Sequence, residues 1–379
     1  MKPLYFDHNA STPIHPEVLD AMMPYLTDRH GNPGCAHNWG RQARQALEKA
    51  RSQVAALINS DPAEIIFTSC ATASNNIVLF GTFRDSTGAL RRGNLVVSSV
   101  EHPSVMEPAR ALERRGIALT TLPVDETGTV SAEEACKSCT PETELVSVML
   151  ANNETGVIQP IRKISSCTFN YGCLFHTDAS QAVGKIPVDV RAMNVDFMTI
   201  AGHKFYAPKG VGALYVRNVR TIFPLLYGGA QERGMKPGTE NMPGIVGLGA
   251  ACELARRTMG EEVARQRELG DLLLDDIRSF GADFVVHGEG AERLPNTLSI
   301  GFRNAFSNQI VERLDEAEVA VSSGSVCHKD NPSISPVLQA MGVAEDYALG
   351  TIRISWGRGT TRDDVHSLAE RLRTAIDMP

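Results

Sequence analysis

The chain has 379 residues, of which 42% are hydrophobic and 21% charged, a composition typical of a globular protein with an ample core. Its length favours one large domain and a smaller one, and its net charge of −7 argues against a broad surface for nucleic acid or an anionic membrane. The sequence shows no signal-peptide pattern, no apolar stretch long enough to span a membrane and no disulfide framework among its eight cysteines, so we expect a cytoplasmic protein.

The first two thirds of the chain alternate short apolar runs with helical patterns. The helical pattern is clearest over 41–58, where apolar residues recur at three- and four-residue spacing. The apolar runs predict buried strands over 64–69, 94–99, 144–150, 173–178 and 196–202. This alternation predicts α/β units around a largely parallel sheet.

The pattern changes near Gly244. A long helical segment over roughly 244–280 precedes three short predicted strands, at 298–302, 319–325 and 351–357, and a final helix. We therefore predict a C-terminal α+β domain that the long helix joins to the first domain.

Lys204 and Asp178 form the first candidate chemical pair. Lys204 follows the strand predicted at 196–202, and Asp178 ends the strand predicted at 173–178. Viewed alone, the lysine is typical of a solvated surface charge and the aspartate of a helix cap. A pyridoxal phosphate (PLP) enzyme needs both, because a carboxylate faces the pyridinium nitrogen and a lysine binds the cofactor's aldehyde carbon. The pair therefore indicates a PLP site but does not establish one.

Three further polar clusters follow predicted strands. Segment 67–76 sets small and hydroxyl residues before a helix, which suits a phosphate cradle or an ordinary capped helix start. His102 suits stacking on a cofactor ring or burial in the core, and Asn152 and Asn153 suit a binding role or a plain turn. Because ligands of open α/β sheets bind at the carboxyl ends of strands, the five clusters together favour one binding site.

Other cofactors fit the sequence less well. It contains neither a G-x-G-x-x-G that opens a βαβ unit nor a G-x-x-x-x-G-K-[ST] phosphate loop. Cys136 and Cys139 form a C-x-x-C in a helical-looking segment, and without a second pair they are not expected to bind a metal. The sequence therefore predicts no metal site.

Nine segments resemble, in order, the NifS/IscS-type cysteine desulfurases, which belong to the class-V aminotransferases of PLP fold type I. They are YFDHNASTP, FTSCATASNN, VEHPSV, ANNETGVIQPI, FHTDASQAVGK, GHKFYAPKGVG, GGAQERGMKPGTEN, SSGSVC and TIRISWGR. The resemblance implies an α/β large domain with a mostly parallel seven-stranded sheet over 16–258, and a smaller α+β domain formed by 1–15 and 259–379. It also implies a homodimer with each active site at the subunit interface.

The resemblance assigns cofactor roles to single residues. Lys204 would bind PLP covalently, and Asp178 would pair with its ring nitrogen. Gln181 would contact the ring hydroxyl, while His102 would stack on the ring and move protons. The remaining cofactor contacts would come from the phosphate ligands Ala71, Thr72 and His203, from Asn153, and from Thr239 of the other subunit.

Substrate and sulfur would be handled by three residues. The resemblance implies that Asn153 and Arg353 hold the carboxylate of L-cysteine, a role that suits the forked guanidinium of arginine. Cys327 follows SSGS and opens the polar, proline-bearing stretch HKDNPSISP, which predicts an exposed loop. The implied reaction leaves L-alanine and a Cys327 persulfide, whose sulfur passes to an acceptor protein for iron–sulfur cluster assembly, tRNA thiolation or DNA sulfur modification. No direct contact with nucleic acid is expected.

Two other functions remain open from the sequence. A selenocysteine lyase or small-molecule aminotransferase of class V would not form a persulfide on Cys327. A scaffold or sulfur-relay partner without turnover would not need the intact set of Lys204, Asp178 and Cys327. Ala201 stands where the family commonly has a serine phosphate ligand, so we expect one fewer hydrogen bond to the cofactor.

Overall fold

The computed structural model of the chain describes residues 2–323 and 334–377. The strands in this part are β1 (Leu4–Tyr5), β2 (Ile65–Thr68), β3 (Asn94–Ser98), β4 (Ala118–Leu122), β5 (Thr143–Ser147), β6 (Leu174–Asp178), β7 (Phe197–Ala201), β8 (Gly212–Val216), β9 (Phe284–Val286), β10 (Thr297–Phe302), β11 (Val319–Ala320) and β12 (Thr351–Ser355). The α-helices are α1 (Pro16–Leu26), α2 (Asn38–Leu57), α3 (Ala71–Thr82), α4 (Pro103–Glu113), α5 (Ala132–Lys137), α6 (Ile161–Thr168), α7 (Val190–Met193), α8 (Met242–Arg278), α9 (Ser307–Glu316), α10 (Pro336–Ala340), α11 (Glu345–Ala348) and α12 (Arg362–Asp377). None of these helices has the length and apolar character needed to cross a membrane.

A seven-stranded sheet organises the first two thirds of the chain, in the order β2-β8-β7-β6-β5-β3-β4. Only β8 runs antiparallel to its neighbours, which confirms the predicted largely parallel sheet. The sequence analysis missed β4 and β8. The edge strand β4 leaves most of its residues exposed or half-buried and so has no continuous apolar run, and β8 directly follows a segment rich in proline and glycine that is typical of a loop.

Side chains alternate between the two faces of this sheet. On β2, Ile65 and Phe67 pack into a core that includes α1, α2 and α6, whereas Ile66 packs into a second core with α3 and α4. This is the two-residue period of a strand buried on both faces. Because helices cover both faces, the edge formed by the strand ends remains for ligand binding.

A second group of strands lies in the C-terminal part of the chain. β12, β10 and β9 form an antiparallel sheet in that order, and β1 pairs in parallel with β11. Leu4 and Phe6 pack into the same core as Ile300 and Ile352, so the N-terminal segment joins the C-terminal core. These separate cores support the division into 16–258 and the combined segments 1–15 and 259–379, which stays a proposal.

Helix α8 joins the two cores as one continuous element of 37 residues. Leu248 in its first half packs into the core of the large sheet, and Leu273 in its second half packs into the C-terminal core. Gly270 lets the ring of Trp356 approach, since a Cβ at Gly270 would lie 2.9 Å from that ring. Trp356 Nε1 also donates to the carbonyl oxygen of Gln266 at 2.9 Å. The predicted long connecting helix is thus observed.

Four cysteines near α5, α6 and the start of β6 come together in two pairs. Cys136 forms a disulfide with Cys167, and their Cα atoms are 5.7 Å apart. A hydrogen bond to Cys173, together with burial, raises the pKa of Cys139. Sequence reasoning did not identify these neighbours of Cys136 and Cys139, because they are separated from them in sequence and only folding brings them together. In the described chain, no group of three or more His, Cys, Asp or Glu side chains is arranged to hold a metal ion.

The disulfide predicts how many cysteines of the protein react as free thiols. Protein purified without reductant and then denatured should carry six maleimide mass tags, two fewer than its eight cysteines, and a dithiol reductant should recover all eight. Cys136→Ser should abolish this difference, whereas Cys35→Ser, which alters a cysteine outside both pairs, should preserve it. Eight tags without reductant, read by intact-protein mass spectrometry, would show that Cys136 and Cys167 are thiols.

Candidate active site

The carboxyl ends of β2, β3, β5, β6 and β7 border a cavity of about 370 Å³ at one edge of the large sheet. Nine residues predicted from the sequence line it: Ala71, Thr72, His102, Asn153, Asp178, Gln181, His203, Lys204 and Arg353. Thr239 is exposed in the segment before α8 and does not line this cavity. Cys327 lies outside the described residues. The lining also includes Asn9, Ala10, Ser104 and Met149, which the sequence analysis did not single out.

Lys204 lies in the short turn after β7, and its amine contacts the N-terminal segment. Lys204 Nζ donates to the carbonyl oxygens of Asn9 and Ala10, at 2.7 and 3.0 Å. Burial lowers the pKa of Lys204 to about 8; Arg353 acts in the same direction and Asp178 opposes it. A lysine that loses its proton this readily can attack an aldehyde or act as a general base near neutral pH.

The lowered pKa of Lys204 predicts its reactivity in cofactor-free protein. Only the neutral amine reacts with acetic anhydride, so half-maximal labelling of Lys204 should fall near pH 8. Peptide mass spectrometry after brief labelling pulses across a pH series measures this midpoint. Labelling of the exposed Lys163 in the same samples corrects for the pH dependence of the reagent. A Lys204 midpoint above about pH 10, the ordinary range for lysine, would contradict the prediction.

Asp178 ends β6 and presents a buried carboxylate to the cavity. Its Oδ1 accepts from the backbone N–H of Ser180 at 2.9 Å, and its Oδ2 accepts from Asn75 Nδ2 at 2.7 Å. Asp178 is only 4% exposed, and both of these donors are neutral. Among the described residues, no cation forms an ion pair with Asp178, and an unpaired buried carboxylate is costly. This site therefore suits a ligand that brings a protonated ring nitrogen.

A chain of hydrogen bonds connects Asp178 to His102. Asn75 Nδ2 donates to Ser104 Oγ at 2.8 Å, and Ser104 Oγ lies 2.8 Å from His102 Nδ1. The backbone N–H of Ser104 donates to the same His102 nitrogen at 3.1 Å, so Nδ1 is an acceptor and the proton of the neutral ring lies on Nε2. Burial lowers the pKa of His102, with Lys204 adding to the effect and Asp178 opposing it, and this favours the neutral ring.

The start of α3 has the features of an anion site. Its N-cap residue, Cys70, makes no side-chain cap hydrogen bond, so the cap leaves the first-turn N–H groups at Ala71 and Thr72 for another acceptor. His203 also lines the cavity, and its Nδ1 lies 3.3 Å from Ser11 Oγ. A phosphate bound at this helix start would accept from the first-turn N–H groups and interact favourably with the helix dipole.

Asn9 connects the cavity to both parts of the fold. Its carbonyl oxygen accepts from Lys204 and, at 2.9 Å, from Gln181 Nε2. Its side-chain Nδ2 donates to Thr297 Oγ1 at 2.9 Å, and its Oδ1 accepts from Lys185 Nζ at 2.8 Å. Sequence reasoning missed Asn9 because an asparagine in a short polar segment is also typical of an ordinary turn.

Arg353 projects from β12 and is 6% exposed. Its Nη2 donates to Asp7 Oδ1 at 2.7 Å, and its Nη1 donates to the backbone oxygen of Asn153 at 3.0 Å. Its Nε is buried and has no hydrogen-bond partner in the described part of the chain. These two hydrogen bonds use two of the five N–H donors of the guanidinium, so it is held in place with donors left over, which suits binding of a small carboxylate.

These groups fit PLP as a set. The cavity of about 370 Å³ is bordered by the amine of Lys204, the buried carboxylate of Asp178 and an uncapped helix start. They match the three functional parts of that cofactor, which are an aldehyde, a ring nitrogen and a phosphate. Arg353 lines the same cavity, where it can bind the carboxylate of a substrate.

The comparisons with known proteins agree on one family. The family model described as aminotransferase class-V matches residues 4–368. A cysteine desulfurase of Mus musculus is 44% identical over 375 residues, which cover 98% of this chain and 81% of the relative. The cysteine desulfurase IscS of Dictyoglomus turgidum is 41% identical over 375 residues, which cover 99% and 94% of the two chains. A solved structure of a NifS-like protein matches with a TM-score of 0.91 at 35% identity, covering 98% of this chain and 99% of that one.

Proposed function

Because this chain belongs to the class-V aminotransferases and, within them, to the PLP-dependent cysteine desulfurases, we propose that it converts L-cysteine to L-alanine through a persulfide on Cys327. The observation that carries the proposal is the grouping of Lys204, Asp178 and Arg353 around one cavity. These residues provide an amine for the cofactor, a counter-charge for its ring and a cation for the substrate carboxylate.

The cofactor would be held by residues on three sides of the cavity. Lys204 would bind its aldehyde carbon, and Asp178 would keep its ring nitrogen protonated. Ala71, Thr72 and His203 would hold the phosphate. When bound, PLP supplies an electron-withdrawing ring that accepts the electron pair left by a broken Cα–H bond. Asp178 supports that chemistry because its buried negative charge favours the protonated ring nitrogen.

The substrate would be oriented through its carboxylate. Arg353 would donate to it, and the contacts of Arg353 with Asp7 and Asn153 fix the guanidinium before the substrate arrives. Such preorganisation lowers the entropy lost on binding. Asn153 would line the same site, since it lies at the cavity wall beside the guanidinium.

Protons would be moved by Lys204 and His102. The neutral Lys204 amine would take the proton from Cα of the substrate, a step that its lowered pKa favours. His102 would exchange protons through Nε2, because its Nδ1 accepts from the Ser104 backbone. Ser104 and Asn75 would fix the position of the His102 imidazole relative to Asp178.

Cys327 would take the sulfur. Its thiolate would attack the sulfur atom of the substrate, forming an S–S bond while the Cβ–S bond breaks, and proton return to the remaining carbon skeleton gives alanine. The persulfide would then be delivered to a sulfur-acceptor protein. Which acceptor it serves stays open among those for iron–sulfur cluster assembly, tRNA thiolation and DNA sulfur modification.

We further propose a homodimer in the cytoplasm. Thr239 is exposed on its own chain, which is consistent with a role at the cofactor phosphate of a partner subunit. Leu19, Met23 and Leu26 on α1 are large apolar side chains with 42%, 45% and 57% exposure. An apolar helix face of this kind suits contact with a second copy.

The decisive measurement is a product balance. Purified protein given L-cysteine and a dithiol should release alanine and sulfide in equal amounts, and single-turnover reactions without the dithiol should leave labelled sulfur on Cys327. The same protein should be tested with selenocysteine, and with alanine plus a 2-oxo acid. Turnover confined to selenocysteine, or amino transfer without sulfur release, would identify a different class-V enzyme.

A further inference from the structure

Lys185 is a buried lysine beside the cavity that the proposed reaction does not use. It follows β6 by seven positions and is only 9% exposed. Lys185 Nζ donates to Asn9 Oδ1 and to Gln181 Oε1, both at 2.8 Å. Among the residues that the structure describes, no carboxylate forms an ion pair with it, so its burial is not explained by charge pairing.

A neutral amine suits these contacts. Burial lowers the pKa of Lys185 well below its ordinary value, and the positive charges of Lys204 and Arg353 act in the same direction. The neutral form has two N–H donors, and the two oxygens that accept from Lys185 match that number. Lys185 can therefore act as a hydrogen-bond donor in the interior without an added buried charge.

Of its two acceptors, Asn9 is firmly held without Lys185. Its backbone N–H donates to Ser355 Oγ at 2.9 Å, and its side-chain Nδ2 donates to Thr297 Oγ1 at 2.9 Å. Asn296 Nδ2 donates to Asn9 Oδ1 at 3.3 Å, so this oxygen keeps a donor if Lys185 is removed. Loss of Lys185 should therefore leave Asn9 in place.

Gln181 depends on Lys185 much more. Its amide can rotate by half a turn and exchange oxygen for nitrogen at nearly the same positions. Lys185 offers a donor on one side, which selects the oxygen, and the Asn9 carbonyl offers an acceptor on the other, which selects the nitrogen. Within the described chain, Lys185 is the one donor to Gln181 Oε1. The orientation of the amide is thus set by Lys185 and Asn9 together.

We propose that Lys185 is a positioning residue that fixes the amide of Gln181 with its NH₂ group toward the cofactor cavity, ready to donate to the oxygen on the PLP ring. This inference rests on the proposed function, because it assumes that Gln181 contacts that oxygen. In the rotated amide, a carbonyl oxygen would face the ring oxygen instead, and two acceptors without a proton between them repel each other. Lys185 acts through Gln181 and does not itself touch the reacting atoms.

A double-mutant cycle tests this route. Lys185→Met keeps the length of the side chain and removes its donors, so it should weaken PLP binding about tenfold, as expected for loss of one oriented hydrogen bond. In a Gln181→Ala background, the same change should weaken PLP binding less than about twofold, because no amide is left to orient. The readouts are equilibrium PLP affinity, the fraction of cofactor fixed to Lys204 by borohydride, and the unfolding temperature. Lys163→Met, at an exposed lysine, is the matched control.

A second variant covers the case in which Lys185→Met does not fold. Gln181→Glu keeps the acceptor for Lys185 but replaces the NH₂ group with an oxygen, so it should weaken PLP binding at least as much as Gln181→Ala. An equal loss from Lys185→Met in both backgrounds, or no loss in the wild-type background, would overturn the inference. So would unchanged PLP binding by Gln181→Glu. If the wild-type protein binds no PLP at all, the proposed function itself is wrong, and this outcome is distinct from the others.

Discussion

Replacing Cys327 with serine is expected to reduce alanine release from L-cysteine by orders of magnitude while PLP binding stays intact. A serine hydroxyl has a far higher pKa than a thiol and is a poor nucleophile toward sulfur, so it cannot take the sulfur atom from the substrate. The cofactor site consists of other residues, so the absorption of bound PLP and its first change on adding L-cysteine should persist. Alanine formation and protein-bound radiolabelled sulfur after gel filtration provide the measurement.

The control for Cys327→Ser is Cys35→Ser, because Cys35 is a free cysteine that does not line the cavity. It should retain most of the activity and all of the protein-bound sulfur, since Cys35 has no part in sulfur transfer. If Cys327→Ser still produced alanine and sulfide at nearly the wild-type rate, sulfur would be leaving the substrate by elimination. The chain would then be a lyase without a persulfide step.

Replacing Lys204 with alanine should have the second large effect. PLP should still bind through Asp178 and the start of α3, but borohydride should no longer attach it to the protein. Turnover should fall by roughly 10²–10⁴-fold from loss of the general base alone. Absorption spectra, the mass of the reduced protein and alanine release together test this result.

Lys209→Ala is the matched control for Lys204→Ala, because Lys209 lies five residues further on and is exposed. It should retain both the covalent cofactor and the activity. A reduced cofactor found on Lys185 or Lys209 of the wild-type protein would refute the assignment of Lys204. Partial restoration of the Lys204→Ala activity by an added small amine would support the role of Lys204 as a base.

The parts of the site that follow strands could be predicted from the sequence. Asp178 and Lys204 come directly after apolar runs, and parallel strands bring their carboxyl ends to one edge of a sheet. The register of β6 and β7 then sets the two side chains near each other. The local sequence carries this information, because Asp178 and Lys204 can each be recognised once the single strand next to them has been identified.

The contributions of the N-terminal segment could not be predicted in this way. Lys204 reaches Asn9 across 195 positions, and Arg353 reaches Asp7 across 346. These contacts depend on how the N-terminal segment packs against the rest of the chain, as in the bridge between Asp7 and Ser355. Neither residue has a local pattern that distinguishes it from a polar turn. The pairing of Cys136 with Cys167 escaped prediction for the same reason.

The continuity of α8 limits how the chain can be divided. At about 1.5 Å per residue, its 37 residues span roughly 55 Å, and no flexible linker interrupts them. A fragment ending near residue 258 would retain the large sheet but cut the helix, and it would keep Leu4 and Phe6 without the C-terminal core into which they pack. The complementary fragment would lack those two side chains. Neither half is therefore a self-contained folding unit, and a tag or fusion partner is better attached at the ends of the chain than inserted between its halves.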